Sequence, residues 1–152
     1  MDAAILETWK MNQKVNLRLL DNLTDGMLSD SYAAGVRKVG EQFVHMNTVR
    51  MAWIEVGAPA LFKKRKKVDK DSIVTISYLK TELEKSSGLI EELLTDVFEK
   101  EKMKGWKQHP LTFLGYLIAH ESHHRGLIMV ALRSAGHSLP KEEMFGLWDW
   151  GK

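Results

Sequence analysis

The sequence predicts an all-α fold, a four-helix bundle with a long crossover between its second and third helices. Four segments carry apolar residues at intervals of three and four, which is the period of a helix with one buried face. No segment shows the strict alternation that is typical of a half-buried strand. The length of 152 residues fits one domain, which we expect to span residues 1–152.

The first predicted helix runs from about Ala3 to Leu23. Its apolar stripe consists of Ile5, Trp9, Leu19, Leu20 and Leu23. Asn12 and Asn16 fall on the same stripe and interrupt it. We expect these two amides to lie at the edge of the core with local hydrogen bonds, rather than in a polar pocket.

The second predicted helix runs from about Gly35 to Val56, and the run Gly57-Ala58-Pro59 ends it, because proline cannot continue a helix. Its apolar positions are Val36, Val39, Phe43, Met46, Val49, Ala52, Trp53 and Val56. His45 lies in the middle of this helix, on a stripe with Val49, Ala52 and Val56.

The third predicted helix follows a basic loop at residues 63–67, which we expect to be a solvated connection. Asp69 or Asp71 can cap its start, and it reaches about Phe98. A seven-residue repeat indicates that the helix packs lengthwise against its neighbours, and its members are Ile76, Leu83, Ile90 and Val97.

The fourth predicted helix starts at Pro110, since proline is tolerated at the first helical position, and runs through Arg133. Gly136 is then suited to the left-handed conformation that ends many helices. In the segment that follows, we expect Trp148 and Trp150 to pack across the open end of the bundle.

The composition excludes several classes of protein and site. The chain has no cysteine, so it has no disulfide, no thiolate metal site and no cysteine nucleophile. The net charge of +2 gives no reason to expect a nucleic-acid partner. No apolar run approaches the roughly 20 residues that span a bilayer, and the N-terminus does not resemble a signal peptide. We therefore expect a cytoplasmic protein without a membrane partner.

Two histidines of the fourth helix, His120 and His124, lie on the face that should be buried, one helical turn apart. Buried imidazoles without partners are costly, and a divalent metal ion would bind one nitrogen of each ring. A third ligand should come from another helix. We assign His45, because His109 and His137 flank the fourth helix near the ends of the bundle. His123 points elsewhere, about 100° from His124. The competing interpretation is a pair of core histidines that bond to neighbouring helices.

Three charged residues could support these ligands by hydrogen bonds or charge. Glu41 lies one turn before His45, on its side of the second helix. Glu121 lies off the histidine stripe, where a helix interface or solvent is expected. Arg125 could pair with a carboxylate or bind a substrate. The catalytic residues, if the protein is an enzyme, stay unassigned.

The run from His120 to Gly126, with the pattern HxxxHRG, resembles the last core helix of the DinB/YfiT-like superfamily. The aliphatic stretch after it and the ending Leu132-Arg133-Ser134-Ala135-Gly136 fit the same family, and His45 matches its first ligand. The resemblance covers essentially the whole chain. The glutamine that usually follows HxxxHRG in the family is Leu127 here.

That resemblance implies a four-helix bundle that holds a divalent metal through His45, His120 and His124. All-imidazole ligation suits zinc, nickel, copper or iron, and we expect zinc or nickel. Characterised relatives include S-transferases and isomerases that use low-molecular-weight thiols. We therefore expect a metal-dependent thiol transferase acting on a small electrophile. A non-catalytic metal-binding or dimerisation module and a metal-dependent hydrolase are the alternatives, and a homodimer is expected.

Overall fold

Four long helices form the body of the computed structural model, which describes residues 3–63 and 74–150. The all-α prediction is confirmed, and the elements in order are α1 (Ala3–Asp21), a 3-10 helix (Asp25–Ser29), α2 (Val39–Gly57), α3 (Pro59–Phe62), α4 (Ile76–Glu99), α5 (Pro110–Ser134) and α6 (Lys141–Gly146). Within the described ranges, none of these helices combines the length and the apolar character needed to cross a bilayer.

The start of α2 differs from the predicted start at Gly35. Gly35 has a φ of +75°, a left-handed conformation that belongs to a turn, and the helix begins at Val39. The side chain of Glu41 accepts a hydrogen bond from the backbone N–H of Lys38 at 2.8 Å, which closes the first turn. This capping bond, rather than the apolar pattern, therefore sets the boundary.

The start of α4 is fixed by Thr75, whose side chain accepts a hydrogen bond from the backbone N–H of Tyr78. The carboxylate of Asp25 accepts a second bond, from the N–H of Ile76 at 2.7 Å. The predicted caps Asp69 and Asp71, and most of the basic loop, lie outside the described residues.

The end of α5 agrees with the prediction from Gly136, which has a φ of +83°. The N–H of His137 donates to the carbonyl of Leu132, and the N–H of Gly136 donates to that of Arg133. This pair of bonds is the Schellman motif, which satisfies carbonyls that would otherwise have no partner at the helix end.

Helices α1 and α2 each pack against both α4 and α5. Two apolar clusters fill the interior, one containing Leu19, Phe43, Leu83 and Ile128, the other containing Trp9, Ile54, Ile90 and Phe113. Along all four long helices, buried polar residues separate these clusters, namely Asn12, Gln13 and Asn16 on α1, Arg50 on α2, Ser86 and Ser87 on α4, and Glu121 on α5. The core therefore contains a polar layer at mid-height.

The buried face of α2 is not the stripe that the apolar pattern predicts. Beyond Met46 it continues through Arg50 and Ile54, whereas Ala52 and Val56 are exposed. An arginine can occupy this face because Glu121 of α5 neutralises it inside the bundle. His45 consequently lies at the half-buried edge of the core rather than in its centre.

Candidate metal centre

Three imidazole rings from two helices meet at one side of the bundle. His45 comes from α2, and His120 and His124 come from successive turns of α5. One potential ligand atom from each ring lies within 4.8 Å of the others. The closest pair is Nε2 of His120 and Nε2 of His124, which are 3.1 Å apart. The rings of His45 and His124 have centroids 4.7 Å apart.

Gln42 fixes the tautomer of His124, the most buried of these rings. Its side-chain carbonyl accepts a hydrogen bond of 2.6 Å from Nδ1 of His124. Because Nδ1 carries the proton, Nε2 of neutral His124 is left with a lone pair that faces His120. The amide nitrogen of Gln42 donates in turn to the backbone carbonyl of Arg37 at 3.4 Å, which holds the glutamine in this orientation.

The spacing of the nitrogens fits a divalent metal ion. Two imidazole nitrogens that each bind at 2.0–2.1 Å in tetrahedral geometry lie about 3.3 Å apart. The 3.1 Å between the Nε2 atoms of His120 and His124 is close to that separation. Nδ1 of His120 is buried without a hydrogen-bond partner among the described residues, and Nε2 is the ring nitrogen that faces His124. The three histidines could therefore hold a metal ion.

The electrostatics of the cluster keep its imidazoles neutral. Burial lowers the pKa of His124 to about 4, and the neighbouring rings of His120 and His45 contribute in the same direction. Burial also lowers the pKa of His45, with the Arg37 guanidinium as the next cause. The pKa of His120 is lowered by burial as well, although the Glu121 carboxylate opposes the shift. Neutral rings are the form that binds a metal.

An aromatic wall borders the site on the His120 side. The ring of Tyr116 stacks on His120 with centroids 5.9 Å apart. Trp53 and Trp106 each contact Tyr116, at centroid distances of 5.8 Å and 5.5 Å. All three aromatic side chains are half-buried, so they form an apolar surface beside the histidines that solvent still reaches.

The three histidines that the sequence analysis did not assign as metal ligands lie outside the cluster. His109 caps α5 by accepting a hydrogen bond from the N–H of Leu111. His137 pairs with Asp30 at 2.6 Å near the end of the bundle. His123 is exposed, and its ring contacts that of His124 at a centroid distance of 5.2 Å without joining the cluster.

The two acidic candidates for supporting the ligands are engaged elsewhere. Glu41 is exposed and caps α2. Glu121 is fully buried and accepts two hydrogen bonds from Arg50, at 2.5 Å and 2.9 Å. Although burial opposes its ionisation, the Arg50 guanidinium lowers the pKa of Glu121, so the carboxylate stays charged. Gln42, which was not predicted from the sequence, provides the hydrogen bond to a ligand histidine, His124. Its position three residues before His45 places it on the same face of α2 and could have indicated this role.

Asn12 and Asn16 are fully buried, so their predicted position at the edge of the core was wrong. Their amide nitrogens donate to the same oxygen of Glu121, at 2.6 Å and 2.7 Å. Their carbonyl oxygens accept hydrogen bonds from Arg125, at 2.9 Å and 2.6 Å. Arg125 thus binds amide oxygens rather than a carboxylate. Burial is possible for both asparagines because their donors and their acceptors are satisfied.

Comparison with known proteins identifies the family. The model of the DinB family matches residues 1–149. A solved structure of a DinB-like protein from Bacillus cereus ATCC 10987 superimposes with a TM-score of 0.67 at 24% identity, covering 90% of this chain and 93% of that one. A DinB-like protein from Bacillus subtilis gives the same TM-score at 21% identity, with coverages of 90% and 96%. None of the curated proteins compared with the chain matches it. The chain belongs to the DinB family.

Proposed function

We propose that this protein binds one divalent metal ion, zinc or nickel, through His45, His120 and His124. The observation that carries the proposal is the convergence of three neutral imidazoles from two helices, with the tautomer of His124 fixed by Gln42. Three neutral ligands suit a catalytic site, because structural zinc sites usually have four protein ligands. His45 and His120 are half-buried, which leaves one side of the cluster accessible from solvent.

We further propose that the site activates a low-molecular-weight thiol for transfer to a small electrophile. A divalent ion with an open position acidifies a thiol or a water molecule that binds there. The guanidinium of Arg37 acts electrostatically on all three histidines and favours an anion at the same place. The wall of Tyr116, Trp53 and Trp106 offers an apolar surface for the electrophile.

The positions of the carboxylates favour thiol transfer over hydrolysis. Hydrolysis commonly needs a general base close to the attacking water. Glu121 is held by Arg50, Asn12 and Asn16, and its lowered pKa makes it a poor base. Among residues 3–63 and 74–150, no carboxylate forms a hydrogen bond with any of the three histidines. A thiol with a lowered pKa is itself the nucleophile and needs no such base.

The experiment uses protein loaded with cobalt(II), whose visible and near-ultraviolet absorption reports on its ligands. We expect cysteine, glutathione or 2-mercaptoethanol to introduce a sulfur-to-cobalt charge-transfer band. We expect the zinc or nickel protein to catalyse the substitution in which the thiolate sulfur replaces the chlorine of 1-chloro-2,4-dinitrobenzene, with release of chloride and of the thiol proton. His124→Ala is the control, since it removes a proposed ligand. A thiol-dependent band without turnover would indicate a thiol-binding module. Neither a band nor turnover with any thiol would reject the thiol proposal.

Metal binding is expected to persist below pH 6.5, the ordinary pKa of histidine, and to be lost by the time the pH reaches about 4. Protons compete for the ligand nitrogens only below the pKa of each ring, and burial lowers the pKa of His45 and His120, and that of His124 to about 4. Equilibrium dialysis against zinc at stepwise lower pH measures the loss, with circular dichroism confirming that the helices remain. Half-loss of the metal at pH 6.5 or above, the range of an exposed histidine, would contradict the expectation.

A further inference from the structure

A cleft of about 720 Å³ lies between the outer side of α5 and the C-terminal segment that contains α6. Ser122 and Gly126 contribute to its wall. Ser122 lies two residues before His124 and Gly126 lies two residues after it. Each therefore points about 160° away from His124 around the helix axis. The cleft is therefore separate from the histidine site, and its volume is within the usual range for small-molecule pockets, about 300–1,000 Å³.

The walls of the cleft are mainly apolar and partly exposed. They include the side chains of Met129, Val130, Leu139, Met144, Trp148 and Trp150. Trp150 packs against the core, whereas Trp148 is 78% exposed and Val130 is 50% exposed. The prediction that both tryptophans close the end of the bundle thus fails for Trp148. Clustered apolar side chains that remain exposed are typical of a binding surface.

Arg125, whose side chain is almost fully buried, contributes to the wall of the cleft. Nη1 of Arg125 donates to Asn12 and Asn16. Its Nε and Nη2 have no hydrogen-bond partner among residues 3–63 and 74–150. In that part of the chain, the enclosed polar side-chain atoms without partners belong to Gln13, Asn47 and His120. The Nε–Nη2 edge of Arg125 is therefore not fully enclosed, and Arg125 is one of the residues that line the cleft.

The buried hydrogen-bond network to which Arg125 belongs carries more positive than negative charge. The network joins two guanidiniums, those of Arg50 and Arg125, to the single carboxylate of Glu121. Arg133 adds a further cation at the cleft, and no acidic residue lines the cleft among residues 3–63 and 74–150. A buried charge is costly without a partner, so one negative charge in the cleft would balance the network.

We propose that the cleft binds a small amphipathic monocarboxylate. A carboxylate matches the two-donor edge of Arg125, and a single negative charge matches the one excess positive charge. The hydrocarbon part then lies along Met129, Val130 and the two tryptophans, parallel to α5. Arg133, eight residues or about 12 Å further along the helix, attracts the anion to the cleft without contacting its carboxylate.

The test titrates the full-length protein with decanoate and follows its total tryptophan fluorescence, to which Trp148 and Trp150 of the cleft contribute. Decanol and decyltrimethylammonium serve as neutral and cationic probes of the same chain length. Decanoate should bind more tightly than either probe. Arg125→Met should remove the preference for decanoate over decanol, and metal content and circular dichroism establish that this variant is folded.

Gly126→Leu is the decisive variant, because Gly126 lines the cleft and a Cβ atom added there meets no other atom within 4 Å. Leucine also favours a helix more than glycine does, so folding should not suffer. We expect decanoate binding to weaken by about tenfold or more. Gly115→Leu is the matched control, since Gly115 lies on the same helix with equally open space and does not line the cleft. It should leave binding unchanged.

Three results would overturn the proposal. The first is equal affinity for decanoate in Gly126→Leu and Gly115→Leu. The second is equal affinity of the native protein for decanoate, decanol and the ammonium probe, which would indicate a plain apolar surface. The third is a dimer, detected by sedimentation equilibrium, whose dissociation constant does not change when decanoate is added and which is monomeric in the Gly126→Leu variant. That result would assign the cleft to a second copy of this chain.

Discussion

Replacing Arg50 by methionine is expected to lower the free energy of unfolding by about 3–5 kcal/mol. Arg50 is fully buried, and its guanidinium binds both oxygens of Glu121, at 2.5 Å and 2.9 Å. It also donates to the side chain of Gln13 at 2.8 Å and stacks over the ring of Trp9 at 4.8 Å. Methionine fills much of the space but leaves the Glu121 carboxylate buried without its cation.

A double variant separates the loss of the ion pair from a loss of packing. Replacing both Arg50 by methionine and Glu121 by leucine removes both charges, so we expect it to be more stable than Arg50→Met alone. Lys10→Met is the surface control, because Lys10 is exposed and its pair with the partly exposed Glu91, at 3.6 Å, should contribute about 0–1 kcal/mol. Urea unfolding followed by circular dichroism measures all three variants. An Arg50→Met loss no larger than that of Lys10→Met would show that the buried pair contributes little.

The histidine cluster could be predicted from sequence because its evidence is local. His120 and His124 occupy a stripe whose other members are apolar, and a helical period places both rings on one face. His45 needed one further inference, that the third ligand lies at mid-helix rather than at an end of the bundle. Both steps depend on helix geometry alone, and the structure brings these three rings together.

The polar layer could not be predicted, because its evidence is not local. Arg50 and Glu121 are 71 residues apart, and periodicity does not say which helices face each other. A charged residue within an apolar pattern is ordinarily interpreted as a break in that pattern. The asparagines at 12 and 16 were the available signal, since two amides at a spacing of four on an apolar stripe need partners from another helix.

The helix boundaries also divide into those that depend on local sequence and those that depend on distant contacts. The start and the end of α5 follow from Pro110 and Gly136, whose backbone preferences depend on the residue itself. The start of α2 depends on the bond between Glu41 and the N–H of Lys38, and that of α4 depends partly on Asp25 of a distant segment. A pattern of apolar residues does not predict boundaries that are set by such contacts.

Loss of any one of the three cluster histidines is expected to abolish stoichiometric metal binding. Each ring supplies one of only three protein ligands. Its loss should therefore lower the metal affinity by more than the roughly 10- to 100-fold expected when a hydrogen-bond partner of a ligand, such as Gln42, is removed. His123→Ala is the matched control. It removes an imidazole from the same helix that contacts His124 yet lies outside the cluster, so it should leave the affinity unchanged.

Metal content measured by mass spectrometry, after dialysis against zinc or nickel, tests this account most directly. We expect about one ion per chain in the native protein and in His123→Ala, and close to none in His45→Ala, His120→Ala and His124→Ala. Circular dichroism should show the same helical content in all five proteins, since the cluster lies at the edge of the core and two of its three rings are half-buried. Equal metal content in the native protein, His45→Ala and His124→Ala would contradict the central claim that these histidines hold the metal.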